Sequence, residues 1–415
     1  MDSARLFLPA GVQRAWRDKG VTRSALNITA KNECLRHAWN SLYANTPVRT
    51  RPVTGVDNIN VQDFKAEESQ FIASISNKIR SGSFKFSPLK ANFVPKGDGG
   101  IRVICVPTVS DRVVQKTLGN TLFDLGYSLN NSVNHGFVRK KSVKTAIKQV
   151  IRVRSNNPWA FKIDISSFFD KLDRALLIDK IKKEIKHRSL HEILVSAACL
   201  EILASRADEE KLYRLGIVKG CGVRQGMPLS PFFANLYLKE FDEFVERKQL
   251  PVVRYADDII GFSDNEAQCL IAMGSCEDKL ISIGLSLKKE KTILASPSQT
   301  VDFLGLGIAR INKQYQPLVT NIQLERIKER IAQYSNLGFC ARRNINLKNV
   351  LTRMDQLVLT YDMIYSEASN KNKVLDVVKS AKEKTIKDLF RKNFNLDYKN
   401  LTKDQRRFLG MSSLI

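Results

Sequence analysis

Hydrophobic residues recur with two different periods along this chain, and the change from one period to the other predicts an α+β protein. About the first eighty residues have helical spacing, with Trp16 and Trp39 as expected packing anchors, and a stretch containing Pro, Thr and Gly interrupts them over residues 46–55. Helical spacing returns over residues 109–125 and through most of residues 172–206. These segments are expected to be helices that bury one apolar face.

Strands are expected where apolar and polar side chains alternate. Residues 83–106 have this character on both sides of a glycine-rich turn, and residues 160–165 alternate regularly. Two further β elements are expected, at residues 291–295 and 301–308. Strands that alternate in this way place successive side chains on opposite faces of a sheet.

After residue 320 the pattern becomes purely helical. Apolar residues at helical spacing predict three amphipathic helices, which we expect to form a small C-terminal bundle. The three apolar stripes are Leu324, Ile327, Ile331 and Tyr334, then Val350, Met354, Leu357, Tyr361 and Ile364, and then Val374, Val378, Ala381, Thr385 and Leu389.

The four residues Tyr255-Ala256-Asp257-Asp258 lie between two apolar pairs and predict the tight turn of a β-hairpin. The turn carries two adjacent carboxylates, and Asp164, at the end of the strand predicted over 160–165, offers a third. Three carboxylates from two strands suit a pair of Mg²⁺ ions that lie ~3.5–4 Å apart and activate an attack on a phosphate. Taken alone, the tetrapeptide fits an exposed acidic turn equally well.

The charge of the chain narrows the choice of partners. Lys and Arg number 67 against 42 Asp and Glu, a formal net charge of +25, which favours polyanions and predicts binding that weakens with salt. No apolar run of transmembrane length and no signal-peptide pattern is found, so we expect a cytoplasmic protein without a membrane partner. Seven scattered cysteines and four histidines argue against a disulfide framework or a zinc site.

Several blocks of sequence around these carboxylates resemble one known family in their order, spacing and residue identities. They resemble the bacterial reverse transcriptases related to group II intron proteins, retron enzymes and phage-defence reverse transcriptases. The resemblance runs from about Gly55 to Gly305. The blocks are residues 54–57, 93–97, 100–103, 106–115, 164–170, 224–237, 255–258, 285–292 and 303–305.

This resemblance implies a catalytic metal site. Asp164, Asp257 and Asp258 would ligate two Mg²⁺ ions, for which Mn²⁺ can substitute, and the backbone carbonyl of Ile165 would add one oxygen. Lys291 resembles the family's lysine that protonates the departing pyrophosphate as a general acid, although Lys288 and Lys289 are close by.

The resemblance also implies a nucleotide site. Lys96 and Arg102 would hold the triphosphate, and Gln225 and Gly226 would lie against the incoming nucleotide. Phe169 would lie beneath the sugar and exclude a 2′-hydroxyl, whereas its neighbour Phe168 fits a core position better. The chain departs from the family pattern at two places. In residues 136–142, Val138-Arg139-Lys140-Lys141 replaces the Arg-Pro-Gly-Arg that the family often has, and Val103 stands where the family commonly has proline.

The fold that the resemblance implies is a right-hand polymerase. We expect an N-terminal helical extension over residues 1–80, interleaved fingers and palm with an antiparallel palm sheet over 81–310, and a helical thumb over 311–415. The expected activity is that of an RNA-directed DNA polymerase, a nucleotidyltransferase that uses dNTPs to extend a primer on an RNA template and yields DNA. By family analogy the template is a dedicated structured noncoding RNA used in antiviral (phage) defence, with an oligomer or a partner protein among the expectations.

Two alternatives remain open at this point. A maturase-like RNA-binding scaffold derived from a group II intron would keep the fold without catalysis, and a defence enzyme would synthesise DNA without a nucleic-acid template. A scaffold predicts eroded carboxylates and an enlarged RNA-binding extension after the thumb. Here the carboxylates are intact, and the roughly 110 residues after Gly305 suit a three-helix thumb.

Overall fold

The computed structural model describes residues 24–46, 53–95, 99–127, 129–288, 290, 292–397 and 400–408. Two compact units contain them. The first unit takes in Met1–Ala146, Lys162–Gly261 and Leu270–Ile293, and the second takes in Ile147–Phe161, Phe262–Cys269 and Leu294–Ile415.

The strands of the described residues form three sheets, with the orders β2-β1-β4, β10-β9-β8 and β5-β6-β3-β7. The strands are β1 (Leu89–Pro95), β2 (Ile101–Val106), β3 (Trp159–Asp164), β4 (Ile202–Leu203), β5 (Val252–Tyr255), β6 (Asp258–Ser263), β7 (Ile293–Ala295), β8 (Val301–Phe303), β9 (Leu306–Ile311) and β10 (Gln314–Leu318).

The helices outnumber the strands in the same ranges. They are α1 (Ala25–Thr29), α2 (Asn32–Ala44), α3 (Val61–Ala66), α4 (Glu68–Arg80), α5 (Val109–Asp124), α6 (Val143–Asn156), α7 (Phe168–Lys171), α8 (Arg174–Glu184), α9 (His191–Ala198), α10 (Arg206–Arg214), α11 (Ser230–Tyr237), α12 (Lys239–Arg247), α13 (Glu266–Ser282), α14 (Asn321–Ala332), α15 (Leu337–Arg342), α16 (Leu347–Ile364), α17 (Lys371–Phe394) and α18 (Lys403–Phe408).

The N-terminal helices pack around an aromatic cluster, as the sequence predicts. Trp39 on α2 is fully buried, and its ring centroid lies 4.5 Å from that of Phe64 on α3. Asn60 starts α3 with a capping box, in which its side chain accepts from the Asp63 amide and the Asp63 carboxylate accepts from the Asn60 amide. Trp16 lies outside the described residues.

The hairpin of β1 and β2 confirms the β character of residues 83–106. The two strands are antiparallel, with Val94 opposite Arg102. Helix α5 follows at the predicted place, and Thr108 caps it by accepting a hydrogen bond from the Asp111 amide. The apolar side of α5 lies in the core, where Val114 and Leu118 are fully buried.

One predicted element differs from that observed, and two strands were not predicted. The single β element expected at 301–308 is two strands, because Leu304 and Gly305 adopt left-handed φ angles of 51° and 80° and turn the chain back. Strand β10 adds a third strand that the sequence analysis missed. Helices fill most of residues 172–206, as predicted, and the unpredicted β4 follows them as a parallel partner of β1.

The C-terminal helices follow the predicted stripes, with one addition. Val374, Val378 and Leu389 of α17 are buried, as are Val350 and Met354 of α16. The stripe of α16 does not continue to its end, because Ile364 is 59% exposed. The short helix α15 was not predicted.

A buried arginine ties the remote segments of the second unit together. Arg154 on α6 is fully buried, and its guanidinium donates to the carbonyls of Ile308 and Gln299, at 2.7 Å each, and to that of Ser296 at 3.3 Å. The same group lies over the ring of Tyr315, 4.6 Å from its centroid. Arg154 therefore fixes the loop before β8 and the strand β9 to helix α6.

Candidate active site

The predicted hairpin turn is present between β5 and β6. Tyr255 pairs with Asp258, so Ala256 and Asp257 are the two turn residues. Ala256 has a left-handed φ of 57°, which costs a residue with a Cβ roughly 1–2 kcal/mol. A turn with this cost requires support from its surroundings.

That support comes from a buried ion pair behind the turn. Arg254 is fully buried and makes a two-pronged contact with Asp242, with Nε 2.7 Å from Oδ1 and Nη2 against Oδ2. Its Nη1 donates to the carbonyl oxygen of Ala256 at 2.9 Å and to Oδ1 of Asn235 at 3.2 Å. The sequence analysis missed this pair, although a charged residue inside the apolar strand β5 was a signal for it.

The turn also rests on the backbone of Gly136. A Cβ added at Gly136 would lie 2.3 Å from the Ala256 nitrogen, so no side chain fits there. The Asn235 amide donates to the Gly136 carbonyl at 3.0 Å and connects this segment to the ion pair. Residues 136–142 differ from the family motif, but they keep this glycine.

Gly136→Ala is expected to displace the catalytic turn. The clash is with backbone, so we expect destabilisation of about 1–3 kcal/mol together with a loss of nucleotide incorporation. Thermal melting and primer extension measure the two effects. Gly274→Ala on α13 is the control, because an added Cβ there meets nothing within 4 Å and should stabilise that helix slightly. Equal behaviour of the two variants would refute the contact.

The third carboxylate lies at the end of β3. Backbone hydrogen bonds from the Lys288 amide to the Asp164 carbonyl (2.9 Å) and from the Ser166 amide to the Ser286 carbonyl (2.8 Å) flank an antiparallel bridge between Ile165 and Leu287. In such a pair, the peptide groups of Ile165 point away from Leu287. The Ile165 carbonyl is therefore not used in this pairing.

Electrostatics place the three carboxylates and one arginine in a common environment. The pKa of Asp257 is raised, chiefly by burial and further by the charges of Asp258 and Asp164, while its own backbone amide and Arg102 act in the opposite direction. Carboxylates that raise the pKa of a neighbour are close enough to repel each other. The assignment of Asp164 to one metal site with Asp257 and Asp258 stays a prediction.

Two lysines to which the sequence analysis gave no role contact the carboxylates of Asp258 and Asp164. Lys162 Nζ lies 3.4 Å from Asp258 Oδ1, and Lys288 Nζ lies 3.8 Å from Asp164 Oδ2. Within the described ranges, no group of three or more His, Cys, Asp or Glu side chains is arranged to hold a metal ion. The donor chemistry nevertheless fits Mg²⁺, which prefers carboxylate and carbonyl oxygens, and mutually repelling carboxylates gain from a divalent cation.

Three of the predicted nucleotide residues, Arg102, Gln225 and Gly226, lie on neighbouring segments of the first unit. The carbonyl of Gln225 accepts a hydrogen bond from the Cys105 amide of β2 at 2.7 Å. Gly226 has a φ of 106°, and a Cβ there would lie 2.4 Å from the Cys105 carbonyl oxygen. Only glycine suits that position, which holds the 225–226 loop beside the strand that carries the exposed Arg102.

Phe168 and Phe169 differ in burial, as predicted: Phe168 is 2% exposed and Phe169 is half-buried. The reason differs from the one expected. The two residues begin the one-turn helix α7 after Ser167, whose φ is 47°, and are not on an extended strand. Lys96 and Lys291 lie outside the described residues.

Comparison with known proteins decides the family. The model of the reverse transcriptase (RNA-dependent DNA polymerase) family matches residues 94–308, more than half of the chain and the whole stretch from Arg102 to Asp258. The chain belongs to the reverse transcriptase family. The α+β right-hand polymerase fold expected from the sequence is thereby confirmed, as is the resemblance to group II intron and retron enzymes.

Individual relatives are distant. The chain is 23% identical to the COX1/OXI3 intron 1 protein of Saccharomyces cerevisiae, over 73% of this chain and 41% of that protein. It is 27% identical to the group II intron-encoded protein LtrA of Lactococcus lactis, over 50% of this chain and 33% of LtrA, and 23% identical to the retron Ec73 reverse transcriptase of Escherichia coli, over 52% of this chain and 67% of the enzyme. The chain thus spans less than half of the two intron proteins. Among the residues described, none of the helices has the length and apolar character that crossing a bilayer requires.

Proposed function

We propose that this reverse transcriptase family member is an RNA-directed DNA polymerase that adds deoxynucleotides to a primer on an RNA template. The observation that carries the proposal is the match of residues 94–308 to the reverse transcriptase family, within which Asp257 and Asp258 lie at the β5–β6 turn and Asp164 ends β3. Three carboxylates beside an arginine suit a reaction in which cations meet the phosphates of a nucleotide. The net charge of +25 supports a nucleic-acid partner.

In this proposal, Asp164, Asp257 and Asp258, with the carbonyl of Ile165, hold two Mg²⁺ ions. When bound, the ions lower the pKa of the primer 3′-hydroxyl and neutralise the triphosphate and the departing pyrophosphate, and Mn²⁺ can substitute. Lys162 and Lys288 lie against Asp258 and Asp164 and offset part of their negative charge.

The remaining roles concern the nucleotide. Arg102 and Lys96 bind the triphosphate, the loop of Gln225 and Gly226 lies against the incoming nucleotide, and Lys291 protonates the pyrophosphate. In this proposal the N-terminal helical extension takes residues 1–80, the fingers and palm take 81–310, and the thumb takes 311–415. A dedicated noncoding RNA and a role in phage defence belong to the proposal by family analogy.

The test of this function is to sequence the RNA and DNA that copurify with the wild-type protein and with the variant that carries Asp257→Ala and Asp258→Ala. The wild type should carry an RNA and DNA complementary to it, and the variant should retain the RNA and lack the DNA. DNA unrelated to any bound RNA would support synthesis without a nucleic-acid template. RNA without DNA in both samples would support an RNA-binding scaffold.

Phe169→Ala is expected to relax sugar selection. The ring is half-buried at the start of α7, and its removal opens the space that a 2′-hydroxyl requires. Incorporation of ribonucleotides relative to deoxynucleotides should rise by about 10- to 100-fold, the range that one steric contact supplies. Single-nucleotide primer extension with paired dNTP and rNTP measures this ratio. Phe168→Leu is the matched control, since Phe168 lies in the core and its loss should change stability and leave the ratio unchanged.

A further inference from the structure

A single carboxylate, that of Glu201, lies where three segments of the first unit meet. Glu201 directly precedes β4, and its backbone carbonyl accepts a hydrogen bond from the Leu89 amide at 2.8 Å, where β1 begins. Its side chain, 28% exposed, accepts from Arg174 Nη1 at 2.6 Å, from the Gly220 amide at 2.8 Å and from Arg224 Nη2 at 2.8 Å. Neither Glu201 nor the two arginines belong to the proposed catalytic or nucleotide-binding residues.

The carboxylate and the two guanidiniums depend on each other electrostatically. Burial disfavours the charge of Glu201, but the hydrogen bonds from Arg174, Arg224 and the Gly220 amide outweigh it and lower the pKa of Glu201 below its ordinary value. The side chain of Arg224 is 2% exposed, and its Nε and Nη1 have no hydrogen-bond partner among the residues described. Loss of the Glu201 charge would leave this guanidinium with the neutral carbonyl of Val218 as its described acceptor.

The segment of residues 218–226 connects both proposed contacts of the nucleotide. In its second half, the Val223 amide donates to the Phe169 carbonyl at 2.7 Å. Two residues later, the Gln225 carbonyl accepts from the Cys105 amide of β2. The proposed sugar contact and the proposed nucleotide loop are therefore joined by three consecutive residues of one chain segment.

Gly222 fixes this segment against helix α7. It has a φ of 74°, and a Cβ there would lie 2.4 Å from the carbonyl oxygen of Asp170. Arg174 Nε donates to the Gly222 carbonyl at 2.8 Å, so the arginine that meets Glu201 also holds this glycine. Glu201 therefore acts on the middle of the segment through Arg174 and on its end through Arg224.

We propose that Glu201 is a positioning residue for nucleotide selection, which keeps the ring of Phe169 and the loop of Gln225 and Gly226 at a fixed separation. With this separation fixed, the segment of residues 218–226 does not shift to make room for a 2′-hydroxyl. Glu201 acts through the two arginines and does not touch the nucleotide. This role rests on the proposed function, which supplies the nucleotide and the steric part played by the ring.

Hydrogen exchange tests the positioning without catalysis. Glu201→Gln keeps the shape of the side chain, removes its charge and turns an amide donor toward a guanidinium. Peptides that cover residues 218–226 should exchange about tenfold faster in this variant than in the wild type. The reason is that the Gly220 amide loses a charged acceptor and the Val223 amide loses the support of its neighbours.

Glu184→Gln is the matched control. The Glu184 side chain is also 28% exposed and also forms an ion pair, with Lys239, but it lies at the other end of α8 from Arg174. Its substitution removes the same charge from a comparable environment. It should leave both the exchange of residues 218–226 and nucleotide selection unchanged.

Nucleotide selection is measured by single-nucleotide primer extension with paired dNTP and rNTP, well below the melting temperature of each variant. In Glu201→Gln, incorporation of ribonucleotides relative to deoxynucleotides should rise by about 3- to 10-fold, less than in Phe169→Ala because the ring is still present. The KM for the dNTP should rise by a similar factor, with a smaller change in kcat. Combined with Phe169→Ala, Glu201→Gln should raise the ratio little further.

Arg174→Gln is a second variant of the same contact and should act in the same direction. Unchanged exchange of residues 218–226 in Glu201→Gln, or an unchanged ribonucleotide ratio, would overturn the positioning role. If neither variant folds, the carboxylate has a structural role alone and the proposal is overturned as well. Extension by the wild type with an unchanged ratio in Glu201→Gln defeats this role and leaves the polymerase function standing, whereas a wild type without extension defeats both.

Discussion

Asp257→Asn is expected to reduce nucleotide incorporation by about 10³-fold or more, a loss of ~4 kcal/mol of transition-state stabilisation. The substitution keeps the shape of the side chain and removes the charge that would hold the metal ions. In metal-free buffer the same variant should melt at a temperature equal to or higher than that of the wild type. The reason is that burial, and further the charges of Asp258 and Asp164, raise the pKa of Asp257 and make its charge unfavourable in the folded state.

Primer extension with Mg²⁺ and thermal melting in a chelator measure these two effects. Asp264→Asn is the matched control, because Asp264 is exposed just after β6 and lies outside the carboxylate group. It should change neither activity nor stability. Retained incorporation in Asp257→Asn, or a clear fall in its melting temperature, would contradict the role given to the turn.

Asp242→Ala is expected to cost about 3–5 kcal/mol of stability, a large share of the stability of a typical domain. The substitution leaves the guanidinium of Arg254 fully buried without its carboxylate, and it removes the partner of the Asn131 amide, which donates to Asp242 Oδ2 at 2.8 Å. Because Arg254 also holds the carbonyl of Ala256, activity should fall together with stability.

Chemical denaturation measures this loss as a fall in the unfolding midpoint. Glu325→Ala provides the comparison, since the pair between Glu325 and Lys328 is 2.7 Å long but exposed, and its loss should cost less than about 1 kcal/mol. The double variant Asp242→Leu with Arg254→Met should recover part of the stability but little activity. A similar cost for the buried and the exposed pair would show that Arg254 is not what supports the turn.

The sequence predicts the elements whose periodicity is strong and local. Helix α5 and the hairpin of β5 and β6 are within a residue or two of their expected bounds, because burial of one face dictates their pattern. The turn that divides residues 301–308 was not foreseen, because Leu304 is a residue that seldom adopts a left-handed φ and only the surrounding fold imposes it. Strand β10 was missed because it contains Pro317, which usually argues against a strand.

In the candidate site, too, the sequence predicts local features and misses those that depend on the surrounding fold. The carboxylates Asp164, Asp257 and Asp258 stand out in the sequence because their chemistry depends on residue type and short spacing. The supporting contacts of Arg254 with Asp242 and of Gly136 with Ala256 join residues far apart in the chain. Such contacts arise from tertiary packing, and a single sequence carries little trace of them.

The contacts of Arg154 bear on how chains of this kind can be recombined. Consider a chimera whose part from Ser296 onward comes from a relative. In it, the buried guanidinium of Arg154 would lose its native hydrogen-bond partners, the carbonyls of Ser296, Gln299 and Ile308. A junction after Leu318, where β10 ends, keeps all three carbonyls with their arginine. Exchange of C-terminal helices among relatives is therefore expected to succeed only downstream of the sheet formed by β8, β9 and β10.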